Sequence, residues 1–348
     1  MVRISRALDM MEKTRSGDRV MGEERQVFAV VVAYNRAKLL RECLDAIATQ
    51  TRPVQRVIVV DNASTDDSSR LAQQHPVVDR VIELSENTGG AGGFCAGIAH
   101  ALAYKELENH DFIWIMDDDT IPTPDALAQL LEAGQRYPGS PALLASQAQW
   151  IDGSEHPMNA HRERPLISPD RKQIARRLGL RQVRAASFVS ILVEVAQVRK
   201  IGLPIADYFI WNDDLEYTAR LLKNRIGLYV PASVVVHKTR AAASATDDPG
   251  DRFYYETRNK IWFLLRSRGL LTMDRILYGG SMLVRWFRMW QVSEHKKKML
   301  RLGVKGVADG VLSGPRPNEE IFSADPETAK LVAACENAAR VKVDKRHG

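Results

Sequence analysis

Residues 27–34 read "VFAVVVAY", with four valines in eight positions and no charge among them. A half-exposed strand alternates apolar and polar residues. A short unbroken apolar run fits a strand buried on both faces, the pattern of a parallel sheet covered by helices. The following residues agree. "AKLLRECLDAIA" (37–48) places Leu40, Cys43, Leu44 and Ile47 on one helical face. "RVIVVDNASTDDS" (56–68) opens as a second buried strand ending at Asp61, and residues 64–74 predict a second helix. "RVIELSEN" (80–87) is a third strand, "AGIAHALAYKEL" (96–107) a third helix and "FIWIM" (112–116) a fourth strand. This alternation predicts an α/β fold, a doubly wound and mostly parallel sheet with helices on both faces. Ligands of such sheets gather at the carboxyl ends of the strands. Asn35, Asp61, Asn87 and Asp117, Asp118 and Asp119 all stand at such ends.

Further along, "TPDALAQLLEA" (123–133) predicts a helix with Thr123 as its N-cap and Pro124 at its first position. "ALLASQAQW" (142–150) is a strand. Residues 151–182 are polar, rich in Pro and Arg and weakly patterned, and read as an excursion. "AASFVSILVEV" (185–195) returns to strand character and runs into a short helix ending at Gly202. "NDDLEYTARLLKN" (212–224) is an amphipathic helix that opens with acids. "IGLYVPASVVVHKT" (226–239) reads as two short strands around Pro231, ending at His237. Helical stretches follow at 253–268 and 272–300, then a loop and one helix at 325–340.

The 348 residues carry a formal charge of +6, distributed unevenly. Residues 252–301 hold twelve Lys/Arg against three Asp/Glu, whereas residues 111–125 hold five Asp and no base. The acids have the distribution of a site and the bases that of a surface. Three scattered cysteines, Cys43, Cys95 and Cys335, give neither a disulfide framework nor zinc spacing, which fits a reducing cytosol. The first 25 residues mix both charges without an apolar core, so no signal peptide is expected. The longest apolar candidate, 276–292, is interrupted by Arg285 and Arg288 and falls short of a membrane span of about 20 residues.

Four groups of residues carry chemistry. Three acids at the end of an apolar strand suggest a divalent cation. Alternate residues Asp117 and Asp119 approach it from one side, with water and substrate phosphate completing the shell of Mg2+ or Mn2+. The alternative is a solvated turn. "NTGGAGGF" (87–94) has four glycines in five residues and matches neither a Walker loop nor a dinucleotide fingerprint. It reads either as backbone approaching a ligand or as a turn with close helix packing. "WNDDLEYTAR" (211–220) offers a carboxylate as general base or, equally, acids that cap a helix. Trp211 stacks on a sugar or fills the core. His237 is a third metal ligand only if the fold carries it to Asp119.

In this order the motifs "VVVAYNR", "VVDNASTDDS", "NTGGAGGF", "MDDDTIPTPDAL", "WNDDLEYTARLLKN" and "VPASVVVHK" resemble the inverting nucleotide-sugar glycosyltransferases of GT-A family 2. The resemblance covers residues 27–265. It implies that Asp61 hydrogen-bonds a uracil or thymine ring, and that the backbone at Tyr34 and Asn35 lines the base pocket. It makes Asn87 and the loop from Gly89 and Gly90 to Gly93 a nucleotide and sugar cradle. Asp117 and Asp119 correspond to the metal-binding Asp-x-Asp pair, Asp118 faces the ribose or donor sugar, and His237 matches a metal-side histidine. Asp214 is the implied catalytic base, with Asp213 and Glu216 shaping the donor and acceptor pocket; Trp211 and Arg258 are further candidates for that pocket, Arg258 as a contact to an acceptor diphosphate or, instead, as part of a basic face.

The pattern, with "DPGDRFYYETRN" (248–259), is most similar to actinobacterial galactofuranosyltransferases of the galactan-initiating type, with dTDP-rhamnose-using rhamnosyltransferases next. It implies a UDP-sugar donor, a polyprenyl diphosphate-linked glycan acceptor and Mn2+ or Mg2+. The implied location is cytoplasmic, peripheral at the inner face of the plasma membrane, where basic and aromatic helices lie on anionic lipid. The chain then divides into a disordered extension (1–25), a GT-A domain (26–250), a basic amphipathic helical region for acceptor and membrane surface (251–312) and a tail (313–348). A nucleotidyltransferase would carry a Gly- and Lys/Arg-rich loop where this chain has "YNRAKLL". A silent nucleotide-sugar-binding protein would have lost Asp117, Asp119 or Asp214. A nucleic-acid binder does not fit bases interleaved with apolar aromatics. The oligomeric state is left open.

Overall fold

The computed structural model describes residues 25–344 except 160, 162, 165–166 and 240–247. The expected N-terminal extension thus lies outside the described residues, save Arg25. The chain opens with β1 (Val27–Ala33), α1 (Ala37–Ala48), β2 (Arg56–Asp61), α2 (Ser68–Gln74), β3 (Arg80–Glu83), α3 (Gly89–Leu102), β4 (Phe112–Asp117), β5 (Thr120–Pro122), α4 (Ala126–Arg136) and β6 (Leu143–Gln149). It continues with α5 (Pro169–Arg177), β7 (Arg181–Val183), β8 (Ile191–Glu194), α6 (Val195–Ile201), α7 (Asp213–Leu221) and β9 (Gly227–His237). Five helices complete it: α8 (Phe253–Arg266), α9 (Thr272–Val292), α10 (Lys296–Leu312), α11 (Asn318–Ile321) and α12 (Pro326–Asp344).

Among the described residues the strands form one sheet, ordered β3-β2-β1-β4-β8-β6-β9-β5, with β7 also paired to β9. The half that begins at "VFAVVVA" is parallel. The other half is mixed: β8 runs antiparallel between β4 and β6, while β6 and β9 run parallel to each other. β1, β2, β4, β6 and β9 therefore all point their carboxyl ends to one edge. β1 alternates between two cores: Phe28, Val30 and Val32 pack with Phe94 and Ile98 of α3, and Val27, Ala29 and Val31 pack with Leu40 of α1 and Leu130 of α4.

Several local expectations change. The glycine run is not a loop, because α3 begins at Gly89. Thr123 does not cap α4; its N–H donates to Val234 O at 3.0 Å and so extends the sheet. Residues 226–239 make a single strand, because β9 carries its extra residues as a bulge opposite the Ser146/Gln147 step of β6. Pro231, which has no N–H for a ladder, sits in that bulge. The excursion 151–182 holds a helix and a strand of its own. The expected tail is docked: Phe322 and Val332 are fully buried in the same core as α3. α9 differs from the other long helices, with only Met282 and Met289 buried. Ile276, Leu277, Leu283, Val284 and Phe287 are all more than half exposed.

Candidate active site

The acid triplet ends β4 and leads directly into β5, which pairs antiparallel with the end of β9, Thr120 opposite His237. That register brings a residue more than a hundred positions away against the acids. Lys238 N–H donates to Asp119 O at 2.8 Å, and His237 Nε2 lies 3.2 Å from Asp119 Oδ1. One ligand atom from each of Asp117, Asp119 and His237 falls within 4.8 Å of the others.

The three acids differ in environment. Asp118 accepts Tyr34 N–H at 3.0 Å. Burial pushes its pKa up to about 7, with Arg36 pulling the other way. Asp117 is held well above the ordinary carboxylate range by burial, then by Asp119 and Asp118, and Asp213 adds to the push. Asp119 is also buried, but His237 and Arg36 outweigh that penalty and hold it below the ordinary range. Arg36 reaches both acids, at 3.2 Å from Asp118 Oδ1 and 2.5 Å from Asp119 Oδ2. Reading the sequence overlooked Arg36, although it ends the quoted "VVVAYNR". Its signal is its place, one turn past the end of a strand that borders β4.

One buried acceptor stays only weakly satisfied even so. Asp119 Oδ1 faces His237 Nε2 at 3.2 Å and has no other hydrogen-bond donor, and a poorly paired buried carboxylate oxygen is costly. Two carboxylates and an imidazole at these separations fit a divalent cation with hard-donor preference, Mn2+ or Mg2+. An orphaned acceptor lies on the same edge: Asp61 Oδ1 is buried without a partner, while its Oδ2 accepts Ser64 N–H at 3.1 Å. Asn35, with φ 52°, spends its Oδ1 on Thr65 N–H at 2.7 Å, so it shapes the loop beside Asp61. Tyr34 is half exposed next to it.

The glycine segment is explained by packing. Gly89 has φ +71°, and a Cβ there would lie 1.9 Å from Phe209 O. A Cβ on Gly93 would lie 2.4 Å from Val32 Cγ1. Asn87 Oδ1 accepts Gly89 N–H at 2.8 Å, which turns the chain into α3. Gly90 alone of this run has open space, with its nearest contact at 4.0 Å. What the glycines deliver is the segment 205–212: Ala91 N–H donates to Phe209 O at 3.2 Å.

That segment carries three non-glycine residues at positive φ, Phe209, Trp211 and Asn212. Such backbone costs energy and persists only where its surroundings enforce it. Asn259 enforces it here. Fully buried on α8, its Nδ2 lies 2.8–2.9 Å from the carbonyls of Tyr208, Ile210 and Trp211. Buried Glu256 accepts Asn212 Nδ2 at 3.1 Å and pairs with Lys260 at 2.8 Å. The Asn212 side chain is thus pulled away from α7 and does not cap it. Asp213 and Asp214 enter the first turn of α7 with capping excluded as the function of Asn212. Burial raises Asp214 to about 6, and burial together with the Asp214 charge raises Asp213 to about 8.

Two expected pocket residues have other occupations. Glu216 is 1 % exposed and is tied to Arg220 at 3.0 Å and Ser267 Oγ at 2.9 Å, a structural pair. Arg258 lies 4.1 Å from the Trp262 ring and donates to Asp207 O at 2.6 Å. Its remaining face does line a cavity of about 310 Å³, together with Asn87, Phe209, Tyr255 and Arg316.

Comparison with known proteins follows the same lines. Residues 28–195 match the family described as Glycosyl transferase family 2. The chain is 28 % identical over 308 residues to galactofuranosyltransferase GlfT1 of Mycobacterium tuberculosis H37Rv, covering 78 % of this chain and 96 % of that protein. It is 28 % identical over 267 residues to GlfT1 of Mycolicibacterium smegmatis, covering 70 % and 82 %. The crystal structure of S. aureus TarS 1–349 in complex with UDP-GlcNAc superposes with TM-score 0.57 at 16 % identity, covering 92 % of this chain and 91 % of that one. The fold is GT-A-like, with a helical carboxyl-terminal region.

Proposed function

Taking as premise that residues 28–195 are a family 2 glycosyltransferase domain, we propose that this enzyme transfers galactofuranose from UDP-galactofuranose to a lipid-linked glycan, with inversion and with a divalent metal. The observation that carries the reading is the convergence of Asp117, Asp119 and His237 within 4.8 Å on the same strand edge as the unpartnered buried Asp61 Oδ1. The relatives named galactofuranosyltransferases support the choice of sugar.

Asp61 Oδ1 accepts the N3–H of the uracil ring, and Tyr34 borders the base. Asp117, Asp119 and His237 would hold Mn2+ or Mg2+, which would supply charge neutralisation to the diphosphate leaving group. Asp118, anchored by Tyr34 N–H and Arg36, faces the donor from the middle of the triplet. Asp214, the less elevated of the α7 acids, is ionised at neutral pH and takes the proton of the acceptor hydroxyl as that oxygen attacks the anomeric carbon from the face opposite UDP. Asp213, with the higher pKa, keeps its proton and donates within the pocket. Two adjacent carboxyls with separated pKa values are the usual means of assigning base and acid. Arg258 meets the acceptor diphosphate along the cavity it lines.

The membrane surface enters through α9. No helix among the described residues is long and apolar enough to cross a membrane. α9 nevertheless presents Ile276, Leu277, Leu283, Val284 and Phe287 outward, followed by Lys296, Lys297 and Lys298. An apolar stripe beside bases suits the interface of an anionic bilayer, where a lipid-linked acceptor resides. Vesicles containing phosphatidylglycerol should retain the protein at low salt and release part of it at high salt. Equal recovery with neutral and anionic vesicles would remove this part of the proposal.

The deciding experiment supplies UDP- and dTDP-sugars one at a time with a synthetic disaccharide lipid acceptor and Mn2+ or Mg2+. Transfer from UDP-galactofuranose is expected. Transfer from dTDP-rhamnose instead, or no transfer from any donor, would overturn the assignment.

A further inference from the structure

The excursion between β6 and β8 reaches the acid cluster. Its short helical turn, Pro157–Asn159, places the Asn159 amide against the histidine that ends β9. Asn159 Oδ1 lies 2.9 Å from His237 Nδ1, and Asn159 Nδ2 lies 3.0 Å from Ser187 Oγ, just ahead of β8. His156, fully buried, packs against the His237 ring at a tilt of 38° with centroids 4.9 Å apart and is held by Thr239 Oγ1 at 2.9 Å. The imidazole is therefore gripped on one face and at one nitrogen, and its other nitrogen points at Asp119.

A neutral imidazole has one N–H. With the amide oxygen toward it, His237 must donate from Nδ1, leaving a lone pair on Nε2 that faces Asp119 Oδ1 across 3.2 Å. In the neutral ring two acceptors in that position repel unless a cation, a proton or a metal ion, lies between them. Turning the amide over presents its NH2 to Nδ1 while Ser187 donates to the oxygen. His237 then donates Nε2–H to Asp119, and no cation is needed. A hydroxyl on one side and an amide in the middle satisfy both arrangements without moving the backbone.

We propose that Asn159 is a positioning residue for the metal site, selecting through its amide orientation the tautomer in which His237 Nε2 is free to ligate. This rests on the metal reading of Asp117, Asp119 and His237. Groups that orient a metal-binding histidine typically contribute 10–100-fold to affinity.

The test is Mn2+ binding to the full chain, followed by electron paramagnetic resonance of the free ion. Asn159→Leu should weaken binding by about 10–100-fold. Asn159→Asp, a permanent acceptor of the same size, should restore it to within about threefold of the parent. If His237→Ala weakens Mn2+ binding and Asn159→Leu does not, the positioning role fails while the metal site stands. If His237→Ala and Asp119→Ala bind Mn2+ like the parent, the metal reading fails, and the proposal with it. A second measurement avoids any loss of folding in the variants: nitrogen shifts of the His237 ring in the Mg2+-loaded parent. Nδ1–H with an unprotonated Nε2 is expected, and Nε2–H in the loaded protein would overturn the proposal.

Discussion

The glycine run at the start of α3 and the acid triplet at the end of β4 occupy the same edge of the sheet, yet their demands are met differently. Each glycine but Gly90 is accounted for by a neighbour inside the chain: Gly89 by the Phe209 carbonyl, Gly93 by Val32. The acids are not accounted for. Arg36 answers part of the charge, and Asp119 Oδ1 is met only by His237 Nε2 at 3.2 Å. Unusual composition at a strand end therefore has two separate causes. Where packing accounts for the residue the oddity is architectural; where several acids crowd one buried edge it is not, and the proposed metal is what would answer them.

The contrast predicts that changes in the acids cost activity and changes in the glycines cost stability. The largest effect is expected at Asp214→Asn, which should keep donor binding and lose about 10²–10⁴-fold in turnover. Normal single-turnover rates in that variant would place the base elsewhere. Next comes Gly89→Ala, where positive φ and a backbone oxygen at 1.9 Å act together. A loss of about 3 kcal/mol is expected in urea unfolding, and an unchanged midpoint would break the architectural half of the comparison.

A third effect is in pH. Asp213 and Asp214 titrate higher in the folded chain than in the unfolded one, where a carboxyl has a pKa of about 3.9. Between that value and about 8 the folded chain holds protons that the unfolded chain has released, so these two acids lower stability as pH rises. Asp213→Asn should raise Tm at pH 8 and leave it unchanged at pH 4, while kcat/KM of the parent should fall below about pH 6 as Asp214 takes up its proton. Equal Tm shifts at both pH values would argue against buried, elevated acids. The smallest effect is at Gly90→Ala, a gain of up to about 1 kcal/mol in stability, since its site is open and alanine is the better helix former. If that variant also binds donor weakly, Gly90 belongs with the acids and the line between the two regions shifts by one residue.

Much of this was legible in the sequence, and the unread parts have physical reasons. "VFAVVVAY" and the strands after it predict the parallel half of the sheet because burial on both faces leaves a composition that few other elements share. The start of α3 was hidden because glycine is a poor helix former; tight contact with Val32 and Phe209 overrides propensity there. β9 read as two strands because a proline normally ends one, and the bulge removes that objection. The acids of the site stood out through charge. Asn259, which holds the strained segment before α7, was visible only as part of "YYETRN". Asn159 had no signal, since a single amide in a weakly patterned segment acts entirely through where the fold carries it. Glu216 shows the opposite case: acidic and two residues from Asp214, it is committed to Arg220 and Ser267.

One feature of the carboxyl-terminal helices bears on when the enzyme becomes competent. Asn318 Oδ1 accepts Ala206 N–H at 2.8 Å, and its Nδ2 donates to Pro204 O and to Glu336. Arg316 fastens Asp207 beside it at 2.8 Å. The segment that aims Trp211 and the α7 acids is thus stapled by residues made more than a hundred positions later. On the ribosome the strand edge that carries Asp61 and the acid triplet is complete well before the segment ahead of Asp213 and Asp214 can be fastened. The transfer proposed above would then have to wait until the residues from Arg316 to Glu336 have emerged.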